Sequence, residues 1–153
     1  MTFIKRTPLL LATLVAGLLS SAGHAQEGPQ GKLQTTELTA GMHVIQAELA
    51  MTPAQQQTGM MFRRTMGTNE GMLFVSEDTG VRCFWMRNTL LPLAIAFIAD
   101  DGTIVNIAEM APQSDASHCS TKPVRFALEM NTGWFAKRGV KAGTRLRGAP
   151  FGK

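Results

Sequence analysis

Histidine and cysteine, the side chains that most often carry catalysis or hold a transition metal, are scarce here: three histidines and two cysteines in 153 residues. Beyond the first 25 residues only His43 and His118 remain. Nucleophilic catalysis needs a nucleophile, a base within reach, and donors for the developing charge. His43 falls on the apolar face of an alternating segment, where it reads as a core histidine. Ser117, His118 and Cys119 are consecutive, but neighbours on an extended chain point to opposite sides, so they imply no dyad. Acid–base work by paired carboxylates has no evident second member beside Glu129. We therefore assign no catalytic residue, no metal ligands and no cofactor.

Other absences narrow the fold and the partners. The chain lacks a long amphipathic helix to cross between parallel strands, which disfavours an α/β architecture. Basic residues form no stripe. Arg63, Arg64, Arg82, Arg87, Arg125 and Arg138 are scattered, and only Lys141 to Lys153 gathers charge without an acid, as a solvated tail does. This balance does not point to nucleic acid. Methionines Met51, Met60, Met61, Met66, Met72 and Met86 show no repeated spacing, so core filling is preferred over soft-metal binding, with copper kept as an alternative.

The start of the chain has the layout of a secretory leader. Lys5 and Arg6 precede the apolar run Leu9 to Leu19, and Gly23 and Ala25 offer small residues for cleavage. The expected division is a leader over 1–25, a linker over 26–31, and a single β domain over 32–153. Localisation is then periplasmic or secreted, with no membrane association after cleavage. Removing Lys5 and Arg6 from the 15 basic residues leaves 13 against 11 acids, a net charge of about +2. In an oxidising compartment, Cys83 and Cys119 read as a disulfide. Closing a loop of roughly 36 residues would contribute about 4 kcal/mol in the chain-entropy picture. Two separate thiols, one of them reactive, are the alternative.

The remainder reads as short strands. Leu33 to Leu38 suits an edge strand, and Met42 to Met51 alternates His43, Ile45, Ala47 and Leu49 against Val44, Gln46 and Glu48. Thr52, Pro53 and Gln55 spell a capping box for a brief helix that Gly59 stops. Gly71 to Val75 is strand and Glu77 to Gly80 a turn. Cys83 to Met86 enters the polar trio Arg87, Asn88 and Thr89. Leu93 to Ala99 has no water-seeking side chain on either face, as expected of a central strand covered on both sides. Asp100, Asp101 and Gly102 reverse the chain into Thr103 to Met110. Ala111 to Lys122 is a long loop, and Val124 to Met130 a strand with Phe126 and Leu128 opposite Arg125, Ala127 and Glu129. Asn131 suits the cap of a last short helix carrying Trp134 and Phe135. A final strand falls near Thr144 to Arg147. The sum is a mainly β domain, a compact jelly-roll-like sandwich or barrel with one or two short helices.

Several stretches carry a resemblance. Thr58-Gly59-Met60-Met61-Phe62-Arg63, Gly71-Met72-Leu73-Phe74, and Phe84-Trp85-Met86-Arg87-Asn88-Thr89 followed by Leu91-Pro92-Leu93 occur in order. Asp101-Gly102, Pro112, Leu128-Glu129 and Gly133 follow. From Leu38 to Leu146 the chain resembles the family catalogued as domain of unknown function 192. That resemblance implies an exported, compact, mostly β fold and no established activity. Many members carry an acid after the Pro-Leu pair, where this chain has Ala94, so no role for that carboxylate transfers.

Within these motifs Arg63, Trp85, Arg87, Asn88, Thr89 and Glu129 form the candidate ligand site. One reading is a polar pocket in which Arg63 or Arg87 holds an anionic or hydroxylated ligand, Asn88 and Thr89 orient it, and Trp85 stacks on it. The other is structural: Arg63 pairs with Glu129 to pin the helix end to the sheet, while Asn88 caps a turn. The leading function is an exported, non-catalytic domain binding a small molecule or an envelope protein. An envelope hydrolase or transferase using the same cluster, and a copper binder, are the alternatives.

Overall fold

β5, Leu93–Ile98, lies fully buried in the middle of the molecule, with all six residues out of solvent. A computed structural model describes residues 28–151, so the expected leader and the start of the linker lie outside the described residues. The other strands are β1 (Thr35–Ala40), β2 (His43–Ala50), β3 (Glu70–Gly80), β4 (Cys83–Phe84), β6 (Ile104–Met110), β7 (His118–Cys119), β8 (Val124–Asn131) and β9 (Leu146–Arg147). The helices are α1 (Pro53–Thr58) and α2 (Trp134–Lys137). The fold is mainly β.

Seven strands form one sheet in the order β6-β5-β8-β3-β2-β1-β9, and β4 pairs with β7 separately. The large sheet curls until its ends meet: Thr103 bridges to Arg145, and the Ile104 N–H donates to the Thr144 carbonyl at 2.9 Å. Inside the curl Leu38, Ile45, Leu73, Ala96, Ile98, Phe126 and Leu128 pack together, and Trp134 and Phe135 of α2 join them. Met72, Phe74, Leu93, Ile95, Phe97 and Ala127 face outward. They are covered in turn by Met60, Met86 and the partly buried Phe84. β5 thus has its alanines and Ile98 in one core, and Ile95 and Phe97 in the other, as its apolar sequence requires.

Local chemistry explains most boundaries. The α1 capping box is complete: Thr52 Oγ1 accepts from the Gln55 N–H, and Gln55 Oε1 accepts from the Thr52 N–H at 3.0 Å. Gly59 then leaves the helix at φ 47°. Gly102 closes the β5–β6 reversal at φ +87°, and a Cβ there would run into the Leu146 carbonyl. Gly71 is needed for a different reason, since a Cβ would strike the Glu129 carbonyl across the β3–β8 ladder.

Several expectations are corrected. β3 continues through Glu77 to Gly80 instead of turning there, although its pairing with β8 slips between Val75 and Gly80. Arg82 stabilises the bulged stretch by holding Asp78 at 2.6 Å. β4 stops at Phe84, because Met86 turns into the outer core and gives its N–H to Ser114. The long loop from Ala111 contains β7. Among the described residues one pair is parallel, β2 with β3, although the chain lacks a long crossover helix; the six-residue α1 and the loop after it make the connection. Asn131 does not cap α2: it donates to the Gly67 carbonyl, and Gly133 at φ 71° stands at the N-cap. The Glu109 carboxylate supplies the missing acceptor for the Gly133 N–H at 3.1 Å. Gln30, in the stretch read as a linker, donates to the carbonyls of Gln55 and Gly59.

Substituting Gly102→Ala will destabilise the fold by about 1–3 kcal/mol, from backbone strain plus the Leu146 contact. Denaturant unfolding checks this, and an unchanged midpoint would contradict the turn geometry.

Candidate functional site

Two short strands and a loop lie across the outer face of the sheet. β4 and β7 place Cys83 directly opposite Cys119, and the two form a disulfide with an S–S distance of 2.09 Å. This fixes a strap whose Phe84 ring packs on Phe74 at 4.9 Å and on Phe97 at 5.9 Å between centroids. The loop after α1 is tied to the strap by one hydrogen bond, from the Phe62 N–H to the Asn88 carbonyl at 2.8 Å. Both residues have positive φ, 63° and 57°, a conformation that a phenylalanine adopts only when its surroundings impose it.

Between the α1 loop and the strap opens a cleft of about 300 Å³. Met60, Met61, Phe74, Phe84 and Trp85 line it, with Thr89 and Glu129 among them. Trp85 is half exposed, at 48%, and the Arg87 guanidinium sits 4.2 Å from the centre of its ring. Arg87 also holds Asp115 at 2.9 Å on the surface. Thr89 is buried, with its hydroxyl donating to the Arg87 carbonyl at 3.4 Å.

Glu129 is the unusual member. It is 4% exposed, stands between Met72 of β3 and Ile95 of β5, and takes no hydrogen bond or ion pair from any described residue. Burial alone pushes its carboxyl up to about 8. The expected Arg63–Glu129 pair is not formed. Arg63 instead grips Glu48 with two parallel hydrogen bonds, Nη1–Oε1 at 2.6 Å and Nη2–Oε2 at 2.8 Å. Strand register gives the reason: Glu48, Met72 and Glu129 lie side by side across β2, β3 and β8, which puts Glu129 two strand spacings, about 10 Å, from Glu48. Burial opposes ionisation of Glu48. The hydrogen bonds from Arg63 and the Leu33 N–H, with the charges of Arg63 and Lys32, outweigh it and hold this carboxyl below its ordinary value.

The six predicted site residues therefore separate. Trp85, Thr89 and Glu129 share the cleft. Arg63 belongs to an open depression with Glu48, Lys32 and Glu70. Arg87 and Asn88 are exposed beside the strap, Arg87 bracing Trp85 and Asn88 making the turn. Glu48 escaped the sequence reading because it alternates with the apolar face of β2 like a solvent-facing residue. Arg82 escaped it too: it lines the cleft with its Nε buried and unpartnered. A wider depression of about 710 Å³ lies at the β5–β6 turn, where Asp101 is bonded to Thr103 and Asp100 faces Arg125. Its acids are already engaged, so the Glu129 cleft is the stronger candidate.

The chain is a barrel-like β domain with a cleft between a disulfide-fixed strap and the loop after α1. Residues 35–148 match the model of DUF192, described as an uncharacterised ACR, and the chain belongs to that family. A solved structure from Sinorhizobium meliloti 1021, described as a "putative transcription regulator", is 39% identical with a TM-score of 0.74, covering 78% of this chain and 98% of that one. A protein of unknown function from Novosphingobium aromaticivorans DSM 12444 is 35% identical with a TM-score of 0.73, covering 86% of this chain and 99% of its own. No curated protein matches.

Arg63→Ala will cost about 3 kcal/mol, because it strands the buried Glu48 carboxylate. Chemical denaturation measures this, and a loss below 1 kcal/mol would show the pair to be ornamental. Glu129 gives a pH signature of defined sign. Its folded pKa lies above the unfolded value, so its stabilising contribution is full below about 4.5 and fades as pH rises to about 8. Relative to Glu129→Gln, the natural chain should lose up to about 1.4 kcal/mol per pH unit across that window and stay level above it. Parallel pH profiles of the two chains would expose a wrong assignment.

Proposed function

We propose that this chain is an exported, non-catalytic domain that binds a small organic molecule in the cleft above Glu129, in the periplasm or outside the cell. The observation that carries the binding assignment is a buried carboxyl with no partner among the described residues, set in a cleft of ligand size whose lining mixes methionines and aromatic rings with Gln56, Gln57, Ser76, Arg82 and Thr89. A purely structural glutamate would be hydrogen-bonded or paired, as Glu48 is. Export is supported by the leader-like start and by the Cys83–Cys119 bond, which an oxidising compartment favours.

An envelope hydrolase or transferase draws support from Glu129 itself, since a carboxyl raised to about 8 suits a general acid. It would need a second group, yet Glu48 is tied to Arg63, and neither His43 nor His118 lines the cleft. Cys119 is in the disulfide and offers no thiolate. Met60, Met72, Met86 and Met110 pack in the outer core, which supports reading them as filler and not as copper ligands. A nucleic-acid role of the kind attributed to the Sinorhizobium protein draws little support here. Arg63, Arg82 and Arg87 each face a carboxylate and do not form a stripe that tracks phosphates.

A thermal-shift screen of periplasmic metabolites, envelope fragments and metals tests the reading. A compound present at a hundred times its Kd stabilises by about 2.7 kcal/mol, which moves the midpoint by several degrees. The shift should shrink by more than half in Trp85→Ala. Hits indifferent to Trp85→Ala and Glu129→Gln would place binding elsewhere.

A further inference from the structure

The charged groups that line the cleft are two, Glu129 and Arg82. They occupy different ends. Arg82 shares Ser76 and Gln56 with a neighbouring depression beside Asp78, and its Nη2 is bonded there. Ser76 is four residues along β3 from Met72, the neighbour of Glu129, or about 13 Å of extended chain. Arg63 and Arg87, the cations expected to receive an anionic ligand, do not line the cleft and are already paired, and the unpartnered Nε of Arg82 belongs to the Ser76 end. At the Glu129 end an entering ligand meets a carboxyl, a hydroxyl, thioethers and aromatic rings.

We propose that this end of the cleft takes a primary ammonium on a compact apolar body, with its N–H groups on Glu129 and Thr89 and its body against Phe84 and Trp85. The proposal rests on the small-molecule reading of the cleft and adds the charge of the ligand. A carboxylate taken out of water needs a counter-charge, and no described residue is bonded to Glu129 to supply one; a bound cation would. The Thr89 hydroxyl donates to the Arg87 carbonyl, which leaves its lone pairs free to accept from an ammonium. Aromatic faces attract cations as well as apolar groups.

The same geometry gives a proton signature. With its carboxyl raised to about 8, Glu129 is mainly neutral in the empty cleft at pH 7. Arrival of a cation ionises it, and the proton leaves to solvent. A neutral ligand that accepts a hydrogen bond from the acid would do the reverse and retain the proton. On the elements around the acid, Met72, Ile95, Met60 and Met61 do not titrate, and Arg82 is the other charged group of the lining, so Glu129 is the group that releases it.

Three probes of one shape separate the possibilities: benzylammonium, benzyl alcohol and benzoate. Calorimetry of the full domain at pH 7, in two buffers of different ionisation enthalpy, should show benzylammonium binding at least about tenfold tighter than the other two. It should release about 0.9 proton at pH 7 and about a quarter at pH 8.5. Glu129→Gln, with folding verified by its melting midpoint, should lose about tenfold in affinity and the proton release with it. Tighter binding of benzoate, or benzylammonium binding without proton release and equally well to Glu129→Gln, would overturn the proposal. If none of the three binds while another compound gives a Trp85-dependent thermal shift, the charge assignment falls and the site stands. Silence from every compound would remove both.

Discussion

Burial of β5 on both faces is the constraint from which the rest of this structure follows. Leu93–Ile98 contains nothing that can face water, so the sheet needs a layer inside its curl and another outside. The inside is filled by the sheet itself, together with the two aromatic residues of α2. The outside is harder. α1 has no buried residue, so the covering must come from loops, namely Met60 after the helix and Phe84 and Met86 on the strap. Loops carry backbone groups that need partners, and here those partners fix the geometry. The disulfide holds β4 to β7, and the Phe62–Asn88 hydrogen bond holds the strap to the helix loop. A cover of this kind does not seal as a packed helix would. The gap that remains is the cleft.

Electrostatics on that outer face are unbalanced in a way that separates structure from function. The row Glu48, Met72, Glu129 places two carboxylates on one buried surface, and Arg63 pairs with the first of them. Glu48 receives Arg63 in a bidentate pair and the Leu33 N–H besides, so its burial is compensated in full. Glu129 receives no hydrogen bond from any described residue, and burial pushes its carboxyl up to about 8. The two glutamates share a sheet face and a covering layer, yet one fastens the stretch at Leu33 and the α1 loop to β2 while the other lines a cleft.

Much of this was legible in the sequence, for identifiable reasons. Period-two patterning separated Phe126 and Leu128 from Ala127 and Glu129, and Ala94, Ala96 and Ile98 from Ile95 and Phe97, as the two cores require. The helix of Pro53–Thr58 was readable to the residue because its signals are local: a capping box, a proline and a glycine. Strand adjacency was not. Nothing in the chain says that β3 lies between β2 and β8, so the ladder that inserts Met72 between Glu48 and Glu129 was invisible, and Arg63 was given the wrong carboxylate. The same limit hid Glu48, whose alternation on β2 is that of a solvated face until the outer layer is known. Asn131 failed differently: a good capping residue lost its helix to Gly133, because Glu109 on β6 could supply the acceptor across the sheet.

Local rules and tertiary structure agree over most of this domain, and the departures include Phe62 at φ 63°, the unpartnered Nε of Arg82 and the buried Glu129. The Met60 side chain, the alanines of β5 and the glycines at 71 and 102 each fit their surroundings. Glutamine at position 129 would keep the shape without the desolvated acid, and a methionine would match its neighbour Met72. A glutamate in that position raises the free energy of the folded chain at neutral pH, and no hydrogen bond from a described residue offsets it. Departures of this kind mark functional or strained sites more often than errors of packing. Stability at Glu129 has been given up in a cleft walled by Trp85 and Phe84, and a partner from outside the chain is what would restore it.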